Sequence, residues 1–274
     1  MRLPEGLALR VATAAALLAG LLSALLLLDR PQLAVLLGLV VALAGREWGI
    51  LVGLRSAHAM LYGVAVSTLY GAAVYGLSAA SAGGEAILAA SALFWVVVVP
   101  AWMHAGIARS GRLPLAAAGI VALVPTALAA LALPANRLLM LLALVWIADT
   151  AAYFAGRAFG KHKLAPTISP GKTWEGVAGA AAATLIYAII CAMPGAPFGE
   201  RIRDMVWIPY LGGAVLLCAI SIVGDLFESA LKRRAGAKDS GNLLPGHGGI
   251  LDRIDSVTAS LPLAALLLHW MYAK

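Results

Sequence analysis

The chain has 274 residues, of which 62% are hydrophobic and only 12% charged, and it carries a net charge of +7. Soluble domains average about 45–50% apolar and about 25% charged residues, so a water-soluble globule is excluded and a bundle of membrane-spanning helices is expected. The basic surplus suits anionic lipid or a phosphorylated substrate, and nucleic acid is set aside for a chain this apolar.

The N-terminus reads MRLPEGLALR and runs into an apolar stretch. That stretch is longer than the roughly 7–15-residue core of a cleaved signal peptide and suits a first span. Apolar runs of spanning length fall at roughly 9–28, 33–53, 58–80, 86–104, 113–133, 137–155, 174–193, 206–225 and 254–272, which predicts nine helices. The second run is the weakest. Arg46, Glu47 and Trp48 interrupt it, and its clean part is only Leu33–Gly45, so a short span followed by an interfacial turn is expected.

Loop charge orients the bundle. With nine spans, 15 of the 20 Lys and Arg residues lie on the side of the N-terminus, leaving Arg30, Arg137, Arg201, Arg203 and Lys274 on the other. The positive-inside rule then puts the N-terminus (with Arg2) and both long basic loops in the cytoplasm. Cys191 and Cys218 lie inside apolar runs and read as packing residues rather than as a disulfide or metal pair. His58, His104, His269, Trp207, Tyr210, Trp270 and Tyr272 sit at span edges and read as interfacial anchors.

The chain divides by character. Residues 1–135 hold about five Leu/Ala-rich spans with short loops, and residues 136–274 carry two polar, Gly-rich segments. In the sixth run Asp149 lies within WIADTAAY. An intramembrane carboxylate is a functional hypothesis by default, and Thr150 and Tyr153 are its expected partners. The first polar segment, KHKLAPTISPGKTWEG, places a turn at Ser169-Pro170-Gly171 and opens the seventh span with Lys172 and Glu175. An acid near a helix N-terminus is also favourable structurally.

The densest segment is Asp225–Asp255, DLFESALKRRAGAKDSGNLLPGHGGILDRID. Asp252 and Asp255 are three apart and share a helix face. Two like charges there call for a cation, and Mg2+ prefers carboxylate oxygen, although acids capping a helix start would look the same. Asp225 ends the eighth span and approaches them if the eighth and ninth spans are neighbours, with Glu228 and Ser229 just beyond it. Lys232, Arg233, Arg234 and Lys238 form a basic run that reads as an inside-facing loop or as a polyphosphate cradle. In LPGHGG, Gly246, Gly248 and Gly249 let the backbone approach an anion, while His247 contacts substrate, ligates metal or holds the turn.

These residues resemble the phosphatidate cytidylyltransferase family. Its signature runs Ser-x-apolar-Lys-Arg, Lys-Asp, a small residue, Pro-x-His-Gly-Gly and Asp-Arg-apolar-Asp. The chain supplies Ser229, Leu231, Lys232, Arg233, Lys238, Asp239, Gly241, Leu244, Pro245, His247, Gly248, Gly249, Ile250, Asp252, Arg253, Ile254 and Asp255 at matching spacing. The upstream SPGKTWEG is similar to a second element of that family.

The resemblance implies an all-α, polytopic membrane protein with polar cytoplasmic loops in a bacterial inner membrane. It implies Mg2+-dependent transfer of the cytidylyl group of CTP to phosphatidate, and a homodimer is compatible with it. On that reading Asp225, Asp252 and Asp255 hold metal. Lys232, Arg233 and Lys238 bind triphosphate, and Ser229, Asp239, His247, Gly248, Gly249 and Arg253 orient substrates. Lys172 and Glu175 shape the lipid-phosphate side, and Asp149 is a further candidate for substrate binding. A secondary transporter is the rival class, with Asp149 as a coupling-ion site. Clustering of polar residues at one membrane face and the lack of an inverted repeat speak against it.

Overall fold

The computed structural model describes residues 5–77, 81–193 and 207–273, with 195, 196, 198, 199 and 202 between the last two stretches. Among them are nine helices long and apolar enough to cross a membrane. They are α1 (Glu5–Leu27), α2 (Arg30–Leu51), α3 (Ser56–Gly76), α4 (Ala82–Ala105), α5 (Arg112–Ala132), α6 (Ala135–Phe159), α7 (Trp174–Cys191), α8 (Trp207–Arg234) and α9 (Leu251–Ala273). Arg2, Arg201, Arg203 and Lys274 of the charge count lie outside the described residues, as does the Tyr272 side chain.

Three helix boundaries differ from expectation, each for a local reason. The second run is one unbroken helix through Arg46, Glu47 and Trp48, not a short span and a turn. It starts at a capping box, with Asp29 Oδ1 accepting from Gln32 N at 2.9 Å and Gln32 returning an oxygen to Asp29 N at 3.1 Å. Glu47 and Trp48 do not end it, because both turn inward and are buried. The chain leaves the helix only at Gly53, whose φ of +90° favours glycine.

Helix α8 continues past the expected end at residue 225 to Arg234. Buried Leu226, Phe227, Ala230 and Leu231 prolong its apolar stripe, and Lys232, Arg233 and Arg234 complement the negative C-terminal dipole. Lys232, Arg233 and Arg234 of the basic run therefore lie on a helix, and Lys238 follows in the loop. At the other boundary, α9 begins at Leu251, which puts Asp252 in its first turn.

Between α6 and α7 the chain makes a small antiparallel hairpin, β1 (Lys163–Ala165) with β2 (Ser169–Thr173), paired Lys163 to Thr173 and Ala165 to Ser169. The expected turn at Ser169-Pro170-Gly171 is thus strand. The turn is one step earlier, at 166–168, where Pro166 presets φ. Pro170 is tolerated because a two-stranded ribbon has free edges.

Small residues set the helix spacing. A Cβ added at Gly224 of α8 would lie 2.6 Å from the Asp255 carbonyl oxygen and 2.8 Å from Ala259 Cβ of α9, so these helices touch backbone to backbone. Prolines inside helices free carbonyls that apolar surroundings cannot satisfy. Pro125 leaves Val121 O without its helical donor, and the Ser91 hydroxyl of α4 donates to it at 3.0 Å. Pro262 does the same to Thr258 O, which accepts from Thr126 Oγ1 of α5 at 3.0 Å. Near Pro100 of α4, a π-helical turn at Phe94–Val98 absorbs the disruption. The core centres on Phe227, ringed by Trp48, Phe94, Trp95 and Trp102 at centroid distances of 5.5 to 6.2 Å.

Contacts between helix termini fix one polar end of the bundle. Thr13 Oγ1 of α1 donates to Pro245 O, Glu47 of α2 reaches the start of α9, and Arg233 and Arg234 at the end of α8 donate to Ile168 O and Ser110 O. At the opposite end, Glu85 at the start of α4 pairs with His269 of α9 at 2.9 Å.

Candidate active site at the polar end

The close α8–α9 contact places Asp225, Glu228, Ser229 and Lys232 beside Asp252 and Asp255, as neighbouring spans were expected to do. Lys232 Nζ lies 2.7 Å from Glu228 Oε2 and 2.7 Å from Asp252 Oδ1. All three side chains are largely buried, at 12%, 3% and 5% exposed, so their charges interact through a poorly screening medium. Lys172, carried in by β2, pairs with Asp225 Oδ2 at 2.5 Å. Ser229 Oγ donates to Asp225 Oδ1 at 3.3 Å. From α6, Asp149 accepts from Ser256 Oγ at 3.4 Å and feels both Asp225 and Lys172.

Asp252 is engaged at both oxygens. While Oδ1 faces Lys232, Oδ2 accepts from Ser240 N at 2.8 Å, Ser240 Oγ at 2.9 Å and Gly249 N at 2.8 Å. Asp255, one turn further along α9, accepts from Ser256 N at 2.7 Å and feels the charges of Asp225, Glu228 and Lys232. The paired acids therefore face different surroundings: Asp252 pairs directly with a lysine and a loop, and Asp255 does not.

The glycine loop is closed by Leu244 N donating to Gly248 O at 2.8 Å and His247 N donating to Leu244 O at 2.9 Å. Its expected open face toward an anion is filled from within the protein. Gly248 has φ +80°, and a Cβ there would meet Asp252 Oδ2 at 2.5 Å. A Cβ on Gly249 would collide with Ser240 Oγ and the Glu47 carboxylate. The anions this loop cradles are Asp252 and Glu47. His247 Nδ1 is buried without a hydrogen-bond partner.

Other expected residues are placed as follows. Lys238, Asp239 and Arg253 are exposed on the same end of the bundle. Arg233 is exposed and leans on the hairpin through Nε to Ile168 O at 3.2 Å. Glu175 does not join the acids. Its carboxylate holds His162, accepting from the backbone N at 3.2 and 3.3 Å and meeting Nδ1 at 2.7 Å. The partner of Asp149 is Ser256 rather than Thr150 or Tyr153, whose hydroxyl is taken by Arg157 at 3.1 Å. Cys191 and Cys218 are free and buried.

Two contributors were missed by sequence reasoning, Glu47 and Ser240, and Glu228, noted beside Asp225, was given no role. Glu47 carried a usable signal, an acid inside an apolar run, but beside Arg46 it read as the end of a span.

The acid set offers oxygen donors of the kind a divalent cation takes. Five carboxylates (Asp149, Asp225, Glu228, Asp252, Asp255) adjoin two ammonium groups (Lys172, Lys232), and Glu228 Oε1 is buried without a hydrogen-bond partner. Oxygen donors with excess negative charge suit Mg2+. Among the described residues, no group of three or more His, Cys, Asp or Glu side chains is placed to hold a metal ion.

Comparison with known proteins gives the family of the chain. The chain matches the cytidylyltransferase family over residues 8–271. It is similar to the phosphatidate cytidylyltransferase of Pseudomonas aeruginosa, with 38% identity over 267 residues, covering 94% of this chain and 96% of that one. Shorter alignments are closer: 51% over 127 residues with the Haemophilus influenzae phosphatidate cytidylyltransferase (46% of this chain, 43% of that one) and 46% over 125 residues with the Staphylococcus aureus one (46% of each). The polar end of this helical bundle is thus set in a match that runs through all nine spans, and the chain belongs to the cytidylyltransferase family.

Proposed function

We infer that the chain transfers the cytidylyl group of CTP to phosphatidate, forming CDP-diacylglycerol and pyrophosphate for phospholipid synthesis. The observation that carries this reading is the gathering of Asp225, Glu228, Asp252 and Asp255 with Lys172 and Lys232 at one membrane-facing end of the bundle, in a chain of this family. A phosphate oxygen of phosphatidate attacks the α-phosphorus of CTP. The new P–O bond forms as the bond to the β-phosphate breaks, and pyrophosphate takes the electron pair.

The reaction brings together two anions, so the chain's own groups must offset charge at both. Lys238, Arg253 and Arg233, exposed at the rim, suit the triphosphate. Lys172, on the hairpin beside α6, suits the lipid phosphate, and Asp149 borders the same side. Asp225 and Asp255, with Glu228 and with Asp252 Oδ1, are the groups that would hold Mg2+. That ion would neutralise charge on the attacking and leaving oxygens. CTP is cytoplasmic, which supports an inner-membrane location with the positively biased end inside.

Purified protein incubated with phosphatidate, radiolabelled CTP and Mg2+ should yield labelled CDP-diacylglycerol. Absence of that product with well-dispersed lipid and folded protein would overturn the reading.

A further inference from the structure

We propose that Glu47, near the C-terminal end of α2, is a positioning residue for Asp252. The inference rests on the function proposed above. Glu47 is 3% exposed, and its recorded hydrogen-bond partners are neutral donors. Ser240 Oγ donates to Oε2 at 3.0 Å, Leu251 N to Oε2 at 2.9 Å and Ile250 N to Oε1 at 3.1 Å. Ile250 and Leu251 open α9, so a carboxylate some two hundred residues upstream satisfies amides that this helix start cannot satisfy internally.

The link to the site runs through Ser240. Its hydroxyl has one hydrogen and stands between Glu47 Oε2 at 3.0 Å and Asp252 Oδ2 at 2.9 Å, while Asp252 N approaches Ser240 Oγ at 3.3 Å. Glu47, Ser240 and Asp252 therefore form one connected unit, and Asp252 Oδ1 points from it to Lys232. The far end of the unit is anchored. Trp48, next to Glu47, is 2% exposed, donates through Nε1 to Leu115 O at 2.8 Å and packs on Phe227. Gly241 and Gly249 complete it, since a Cβ at either would strike the Glu47 carboxylate.

A glutamine at this position has the right volume and the wrong chemistry. Its NH2 group must face at least one of the three donors, so a helix amide or the Ser240 hydroxyl loses its acceptor. Groups that orient the residues of a charged site typically cost about 10–100-fold when altered.

The test compares wild type, Glu47→Gln, Ser240→Ala and the double variant, reading steady-state kinetics and amide hydrogen exchange of the 239–251 segment. Glu47→Gln should lower kcat about 10–100-fold with KM for CTP and phosphatidate within about 3-fold. Exchange should rise in 239–251 and stay unchanged elsewhere. The double variant should be no worse than the weaker single one, because both act through one link. Wild-type kcat in Glu47→Gln, a loss that vanishes once rates are scaled to folded protein, or multiplicative losses in the double variant would each overturn the proposal. A wild type that makes no product removes the assigned reaction. In that case unchanged exchange at 239–251 in Glu47→Gln still overturns the role of Glu47, and raised exchange still supports its hold on the loop.

Discussion

Lys232 Nζ and Asp252 Oδ1 lie 2.7 Å apart between two helices, and Glu228 Oε2 meets the same ammonium at the same distance. One cation thus serves two buried carboxylates, and it does so inside α8 rather than in a solvated loop. Removing one partner of a buried ion pair typically costs about 3–5 kcal/mol, because the remaining charge is stranded. Lys232→Met should therefore lower the unfolding free energy in mixed micelles by about that amount, in addition to ending turnover. Adding Glu228→Gln should return part of the stability and none of the activity. Stability in Lys232→Met equal to wild type would show that the ammonium is dispensable to the fold.

The proline-freed carbonyls give a prediction about the bundle itself. Ser91 donates to Val121 O because Pro125 cannot. Interhelical hydrogen bonds of this kind in membranes are worth about 0.6 kcal/mol on average and up to about 1.7. Ser91→Ala should cost toward the upper end of that range, because the carbonyl is left with no donor. Pro125→Ala, which restores a backbone N–H one turn along, should lessen the loss when combined with Ser91→Ala. Additive losses in the mixed-micelle unfolding of the double variant would contradict the pairing.

Much of this molecule was legible from residue order, and the exceptions share a cause. Span number followed from apolar runs, and the approach of Asp225 toward Asp255 followed from the neighbourhood of the last two spans. What could not be read was the direction in which each polar side chain turns. Arg46-Glu47-Trp48 looked like an interface because a charged pair in an apolar run usually marks one, yet Glu47 is consumed by amides of residues 250 and 251. Lys232 looked like a ligand for phosphate, yet its neighbours in space are acids. LPGHGG reads as open to an outside anion, whereas Asp252 and Glu47 occupy the space that Gly248 and Gly249 leave. The partners of Glu47 lie some two hundred residues away, a pairing that local pattern does not announce.

The hairpin should behave as a latched element. Glu175 grips the backbone and the ring of His162, Thr173 caps α7 by accepting from Gly176 N at 3.1 Å, and Lys172 extends from the same strand to Asp225. The His162 side chain is 78% exposed, so the Glu175 pair contributes little to global stability. Its effect is local. Glu175→Ala should leave the thermal midpoint nearly unchanged while trypsin cleavage at Lys161 and Lys163 accelerates several-fold. Cleavage at the wild-type rate would mean that strand pairing alone holds the hairpin.

Asp255 should show stability and activity moving in opposite directions. Its carboxylate feels the charges of Asp225 and Glu228, an arrangement that costs folding free energy unless a cation offsets it. A group retained for packing would lose stability when replaced, whereas a group retained to hold a cation should gain it. Asp255→Asn should therefore unfold no more easily than wild type in chelator, and more reluctantly if repulsion dominates, while turnover falls by at least about 10²-fold. The contrast sharpens with added metal. Mg2+ at 100 times its dissociation constant should stabilise wild type by about 2.7 kcal/mol, and the variant should lose most of that increment. Asp252→Asn should differ, because Asp252 also holds Ser240 and Gly249 and its replacement should weaken the fold in chelator as well. An Asp255→Asn protein that keeps both its turnover and the Mg2+-induced rise in thermal midpoint would place the cation elsewhere, and with it the centre of the reaction.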